Sequence, residues 1–156
     1  MKLNTVIENK LLPLAGKVTT NRYLRAIQNA FLTILPLMAI GSFALILGSP
    51  PMKYADMDAG FFREVMHVWQ NFADFAGPSL FTIFHGTISC LSLYVALGIG
   101  YYLGKQYKLH GFLPTIASGI TFFILNASGV KMEMVFSYFG GEGLFSAMLV
   151  SILTIE

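Results

Sequence analysis

The chain has 156 residues, 55% of them hydrophobic and only 12% charged, with a formal charge of +2, whereas an ordinary soluble domain carries about 25% charged residues. This balance weighs against a soluble all-α protein, which would have to bury long uncharged runs in a core, and the small net charge weighs against a nucleic-acid partner. A single cysteine, Cys90, excludes an internal disulfide and reads as a small apolar side chain within a span.

Residues 1–20 carry Leu3, Ile7, Leu11, Leu14 and Val18 at helical spacing, with Asn4, Glu8, Lys10 and Lys17 mostly elsewhere around the helix. The pattern predicts an amphipathic leader. Thr5 and Glu8 have capping-box spacing, Pro13 should kink the helix, and Gly16 is a plausible stop. Two settings suit it equally: the membrane interface, with lysines towards anionic headgroups, or the surface of the protein's own spans.

Between Arg25 and Lys53 no residue is formally charged, and the same holds over 75–104 and 111–130. A bilayer span needs about 20 such residues. The first apolar stretch, 26–47, is too long for the hydrophobic region of a signal peptide and is read as a retained span. Thr20 or Asn21 can cap its helix, Pro36 should bend it, and Ser49-Pro50-Pro51 ends it.

Over 61–76 a second amphipathic helix is expected, with Phe61, Val65, Trp69, Phe72 and Ala76 on one face and Arg63, His67, Gln70 and Asp74 on the other. That distribution suits a membrane surface. Gly77-Pro78 is expected to break this helix from the second span, 79–103. Within that span Ser92, Ala96, Gly100 and Gly104 recur every four residues, giving a candidate helix-packing face with almost no side-chain bulk. His85 is the one ionisable side chain well inside a span, and so a candidate functional residue. Being about two turns from the expected helix start, it can equally serve packing or reach the interface.

The third span is expected over 111–127, with Asn126 as a helix-end residue. The last apolar run, 143–155, spans only about 20 Å at ~1.5 Å per residue, against a hydrocarbon core about 30 Å thick. It is expected to be a fourth span cut short; the alternative is a short core or re-entrant helix of a complete small protein.

No catalytic constellation emerges. Glu64 and His67 have Glu-x-x-His spacing, but a carboxylate-bridged metal site needs a second copy and further carboxylates on facing helices, so no metal or other cofactor is expected. Gly98, Gly100 and Gly104 lie inside an apolar span with no preceding strand, and read as packing residues rather than a phosphate loop. The basic residues set the topology. Five precede the first span (Lys2, Lys10, Lys17, Arg22, Arg25), and Lys105 and Lys108 fill the tight loop between the second and third. By the positive-inside tendency the N-terminus and this loop are cytoplasmic, with Tyr101, Tyr102 and Tyr107 placed as an interfacial belt.

Several segments, taken together and in order, resemble the membrane-embedded enzyme IIC component of the bacterial phosphoenolpyruvate-dependent sugar phosphotransferase system, of the lactose, cellobiose and chitobiose type. They are Leu3-Asn4 to Gly16 with Asn21-Arg22-Tyr23-Leu24-Arg25-Ala26-Ile27; Leu35-Pro36-Leu37 with Ile40-Gly41-Ser42-Phe43; Gly100-Tyr101-Tyr102-Leu103-Gly104-Lys105 with Tyr107-Lys108-Leu109; and Gly140-Gly141-Glu142-Gly143-Leu144-Phe145-Ser146-Ala147. The resemblance implies an all-α integral membrane fold in the bacterial cell membrane. Residues 1–20 would be its leader and 21–156 the N-terminal, dimer-contact half of a subunit of about ten spans. It further implies a β-linked disaccharide as substrate, a homodimeric intact subunit, and soluble IIA and IIB partners that relay phosphate to the sugar. The family's sugar-binding His and Glu belong to a C-terminal half without counterpart here, so no substrate residue is carried over and the chain is expected to be inactive alone. The competing reading is a small multi-span scaffold that self-associates through the Ser92 to Gly104 face and transports nothing.

Overall fold

The structure, a computed structural model, describes residues 21–56, 58–110, 112–127 and 138–156. The leader expected over 1–20 lies outside the described residues. The described residues form α-helices α1 (Arg22–Gly48), α2 (Phe61–Thr87), α3 (Leu91–Gln106), α4 (Phe112–Ala127) and α5 (Leu144–Ile155). Short 3-10 turns at Tyr54–Asp56, Ile88–Cys90 and Gly141–Gly143 precede α2, α3 and α5 respectively.

Helix α1 starts where Asn21 caps it: the side-chain oxygen accepts from the backbone N–H groups of Tyr23 at 2.9 Å and Leu24 at 3.4 Å. Its 27 residues include Pro36 and extend about 40 Å at ~1.5 Å per residue, enough to cross a bilayer. The buried stripe is Ala26, Ala30, Ile34, Gly41, Ala44 and Gly48, mostly small residues, while Leu32, Leu35, Ile40, Phe43 and Leu47 face outward. Bulky apolar groups outside and small ones inside reverse the usual distribution of a soluble protein. They suit a lipid surround, where close backbone approach holds helices together.

The expected break at Gly77-Pro78 does not occur. Helix α2 runs unbroken through Pro78 to Thr87, because proline removes a single ladder hydrogen bond, a loss that helices in membrane proteins absorb. The interruption falls instead at Ile88–Cys90, inside the expected second span 79–103. Thr87 is buried there, and its hydroxyl donates back to the carbonyls of Ile83 at 2.7 Å and Phe84 at 3.1 Å, a contact that bends helices. Tyr94 donates its phenolic O–H to the Gly86 carbonyl at 2.6 Å across the break. Together α2, the turn and α3 make a helical run of 46 residues, about 69 Å at ~1.5 Å per residue and more than twice the hydrocarbon thickness.

The face of α2 that packs on α1 is not the expected apolar face, which stays on the outside. Phe61, Val65 and Phe72 are exposed, and the buried stripe is Met66, Ala73 and Gly77, roughly a quarter-turn away at 3.6 residues per turn. Small residues again make the contact with α1. Leu80 packs on Gly48, while Trp69 donates its indole N–H to the Leu47 carbonyl at 3.0 Å. Those two α2 residues stand about 16 Å apart along its axis, yet both reach the last turn of α1. The N-terminal part of α2 therefore crosses the end of α1 instead of running on beside it.

Helix α3 is the centre of the bundle, packing on α1, α4 and α5. Against α1 it contributes Leu91, Val95 and Ile99, which meet Ala30 and Ile34. Towards α4 and α5, Ala96 joins Phe122, Phe139 and Ala147.

Candidate functional site

The four small residues of the expected packing face lie on the side of α3 turned to α4 and α5. Ser92, Ala96, Gly100 and Gly104 are all buried. A β-carbon placed on Gly100 would lie 2.7 Å from both the Pro114 carbonyl oxygen and the Ser118 β-carbon. One placed on Gly104 would overlap the Pro114 ring. Neither position can carry a side chain unless α4 moves. Higher on the same face, the Ala96 carbonyl accepts the hydroxyl of Ser118 at 2.8 Å and lies 3.3 Å from that of Ser151, which it shares with the Ala147 carbonyl of α5 at 2.5 Å, so one oxygen meets both neighbours. At the top, the Ser92 N–H donates to the Phe139 carbonyl at 2.7 Å and its hydroxyl to the Gly140 carbonyl. Hydroxyls that return to backbone oxygens in this way leave no buried polar atom facing hydrocarbon.

His85 stands apart from this face. It is exposed on α2, its Nδ1 lies 3.1 Å from the Ser89 hydroxyl, and its ring meets Phe84 edge-on at 5.3 Å. Asn126 returns its amide to the Phe122 carbonyl at 2.8 Å, within its own helix. Glu64 is exposed, and His67 sits with its Nε2 3.4 Å from the Asn71 amide.

A polar clasp joins three helix ends where α1 begins and α3 and α5 finish. Arg22 lies over the rings of Tyr23 and Tyr107 at 5.0 and 4.8 Å. The Tyr23 hydroxyl donates to Glu156 Oε1 at 2.6 Å, and Arg22 reaches the same carboxylate at 4.0 Å. Gln106 donates to the Arg22 carbonyl at 3.2 Å. In the sequence Arg22 reads as a topology marker and Tyr107 as a belt residue; nothing local announces their meeting with Glu156.

The α3–α4 connection has an equally definite form. The Leu109 N–H returns to the Gly104 carbonyl at 2.9 Å and the Lys108 N–H to the Lys105 carbonyl at 3.2 Å, the paired bonds of a Schellman cap. Lys108 occupies the left-handed position, with φ 58°.

No protein-family model matches the chain. Among curated proteins it is 28% identical over 173 residues to the lichenan permease IIC component of Bacillus subtilis, a match covering 99% of this chain and 35% of the relative. The cellobiose-specific EIIC component of Geobacillus stearothermophilus is 28% identical over 168 residues, covering 97% of this chain and 34% of the relative. A solved structure of ChbC, the IIC component of the N,N'-diacetylchitobiose-specific phosphotransferase system, superposes with a TM-score of 0.72 at 25% identity over 94% of this chain and 35% of that one. The chain is similar to phosphotransferase IIC components. This meets the expectation drawn from its ordered motifs, and the apolar outer surface of the helices agrees with a membrane location. The chain spans about a third of the length of the curated relatives it matches.

Proposed function

We propose that the chain is the N-terminal part of a IIC-type permease that carries a β-linked disaccharide of the cellobiose, lactose or chitobiose class, which IIA and IIB partners phosphorylate. The observation that carries this reading is the extent of the likeness to ChbC, which takes in 94% of the chain at a TM-score of 0.72. Since the match occupies about a third of each relative, sugar binding is assigned to the part of such a protein outside the match. The matched part supplies the membrane scaffold and the contact with a second copy in a homodimer.

The proposed orientation places the start of α1, the α3–α4 loop and the end of α5 in the cytoplasm. The charges support it: among the described residues, Arg22, Arg25, Lys105 and Lys108 cluster at that end with Glu156, whereas the opposite end carries Lys53 and Arg63 among five carboxylates, Asp56, Asp58, Glu64, Asp74 and Glu142. In intact cells, cysteines replacing Lys17 and Gln106 should be shielded from an impermeant thiol reagent while one replacing Asp56 reacts; the opposite pattern overturns the topology. Helices α1, α3 and α4 are proposed as crossing segments, with α2 lying partly along the outer interface and α5 beginning a return.

A chimera tests the transport reading. Residues 1–156 should replace the matching third of a cellobiose IIC component and restore cellobiose uptake in cells lacking their own permease, whereas the chain alone should give none. A chimera that reaches the membrane at normal levels but fails to take up sugar contradicts the reading, as does saturable sugar binding by the chain alone.

A further inference from the structure

We propose that the end of the bundle where α4 begins and α5 finishes holds an anionic phospholipid, with Lys108 binding the phosphate and the groove between α4 and α5 taking the upper part of an acyl chain. The cavity there measures about 330 Å³ and is lined by Lys108, His110, Leu113, Ala117, Thr154 and Ile155. Its rim is basic and polar and its wall is aliphatic, in the order in which a phospholipid presents its own headgroup and chain. A free phosphate would use only the rim, and a neutral lipid only the wall.

Two observations make the lysine more than a loop residue. Lys108 sits at φ 58° in the Schellman cap, the position that glycine fills without steric cost. A side chain with a β-carbon costs roughly 1–2 kcal/mol in that conformation, so the fold gains nothing locally from a lysine there. The second is the charge around it. Arg22, Arg25 and Lys105 share this end of the bundle, and the one carboxylate among the described residues there, Glu156, is engaged by the Tyr23 hydroxyl at 2.6 Å and by Arg22. Basic pockets between spans at this depth are suited to anionic headgroups.

The inference rests on the membrane setting and not on transport, so its failure is distinguishable from that of the permease reading. The full chain in nanodiscs of phosphatidylcholine with a minor fraction of spin-labelled phosphatidylglycerol reports the preference directly. Both leaflets of a nanodisc are equivalent, which frees the result from the proposed orientation. The unaltered chain should retain labelled phosphatidylglycerol in preference to labelled phosphatidylcholine. Lys108→Gly should lower that preference about fivefold, the factor corresponding to ~1 kcal/mol per basic residue near an anionic surface, while melting no lower than the parent because the left-handed position is relieved. Lys108→Arg should keep the preference. Ala117→Trp, which fills the groove and leaves the charge in place, should weaken retention of both labelled lipids. Lys53→Gly, at the other end, should change nothing. An unchanged phosphatidylglycerol preference in Lys108→Gly overturns the site, as does equal loss in Lys53→Gly, which would reduce the effect to overall charge.

Discussion

The junction of α3, α4 and α5 and the crossing of α1 by α2 are both helix contacts in an apolar protein, yet they are built differently. At the junction Ser92, Ala96, Ser118, Phe122, Ala147 and Ser151 are completely buried, two serine hydroxyls bond across helices, and a third bonds to the Gly140 carbonyl ahead of α5. Over the 27 residues of α2 only Met66, Ala73, Gly77 and Thr87 are buried, while Phe61, Phe62, Val68 and Phe75 point outward. Hydrophobicity does not separate the two, since lipid solvates a phenylalanine as well as another helix would. Hydroxyl placement does: small residues bring backbones together at both contacts, but only at the junction do serines find acceptors on neighbouring segments, which lipid cannot offer.

The two regions should differ most when the same side chain is added to each. Gly100→Leu drives a β-carbon into α4, whereas Gly86 on α2 has no neighbouring atom within 4 Å of its β-carbon position. Gly100→Leu should cost about 3 kcal/mol, the upper part of the range for overpacking, and lower the melting temperature of the detergent-solubilised protein. Gly86→Leu should leave it unchanged. Equal tolerance of both would mean that the small-residue face is not a close contact.

Removing the hydroxyls is a smaller perturbation. Ser118→Ala with Ser151→Ala takes both cross-helix donors from the Ala96 carbonyl, which keeps its place in the helical ladder, and should cost about 1 kcal/mol in total at ~0.6 kcal/mol for a typical bond of this kind. A double-mutant cycle on thermal unfolding measures it, and a loss near zero would remove the hydroxyls from the account. Less still is expected at the crossing. Trp69→Phe gives up the bond to the Leu47 carbonyl and should cost about 0.5 kcal/mol, at the low end for a single hydrogen bond. Phe75, 89% exposed, should tolerate replacement by leucine within about 0.5 kcal/mol.

The contrast also explains what could be read from the sequence. Helix α1 was legible because an uncharged run bounded by Asn21 and by Ser49-Pro50-Pro51 carries its own start and stop signals. The four-residue spacing of Ser92, Ala96, Gly100 and Gly104 marks a face without reference to anything distant. The end of α2 was not legible: Gly77-Pro78 is the stronger local breaker, but the observed break depends on the back-bonding of Thr87 and on Gly41 of α1 pressing against it. Val95, which spacing alone sets off the small-residue face and makes a natural control, is fully buried against α1. Helix α3 has two packed sides, and a pattern search that seeks one stripe finds only one. The Arg22, Tyr23 and Glu156 clasp joins residues 133 or more positions apart, with no periodicity to betray it.

Whether the α3 face closes on its own chain is decided most directly by a disulfide. The β-carbon position of Gly100 lies 2.7 Å from the β-carbon of Ser118, so a small outward shift brings the pair to the ~3.5–4.5 Å that a disulfide requires. With Cys90 replaced by serine, Gly100→Cys and Ser118→Cys introduced together should cross-link under mild oxidation in membranes, giving a bond within one chain at monomer mass. A cross-linked product at dimer mass, or no bond at all, would contradict the packing of α3 on α4 on which this account rests.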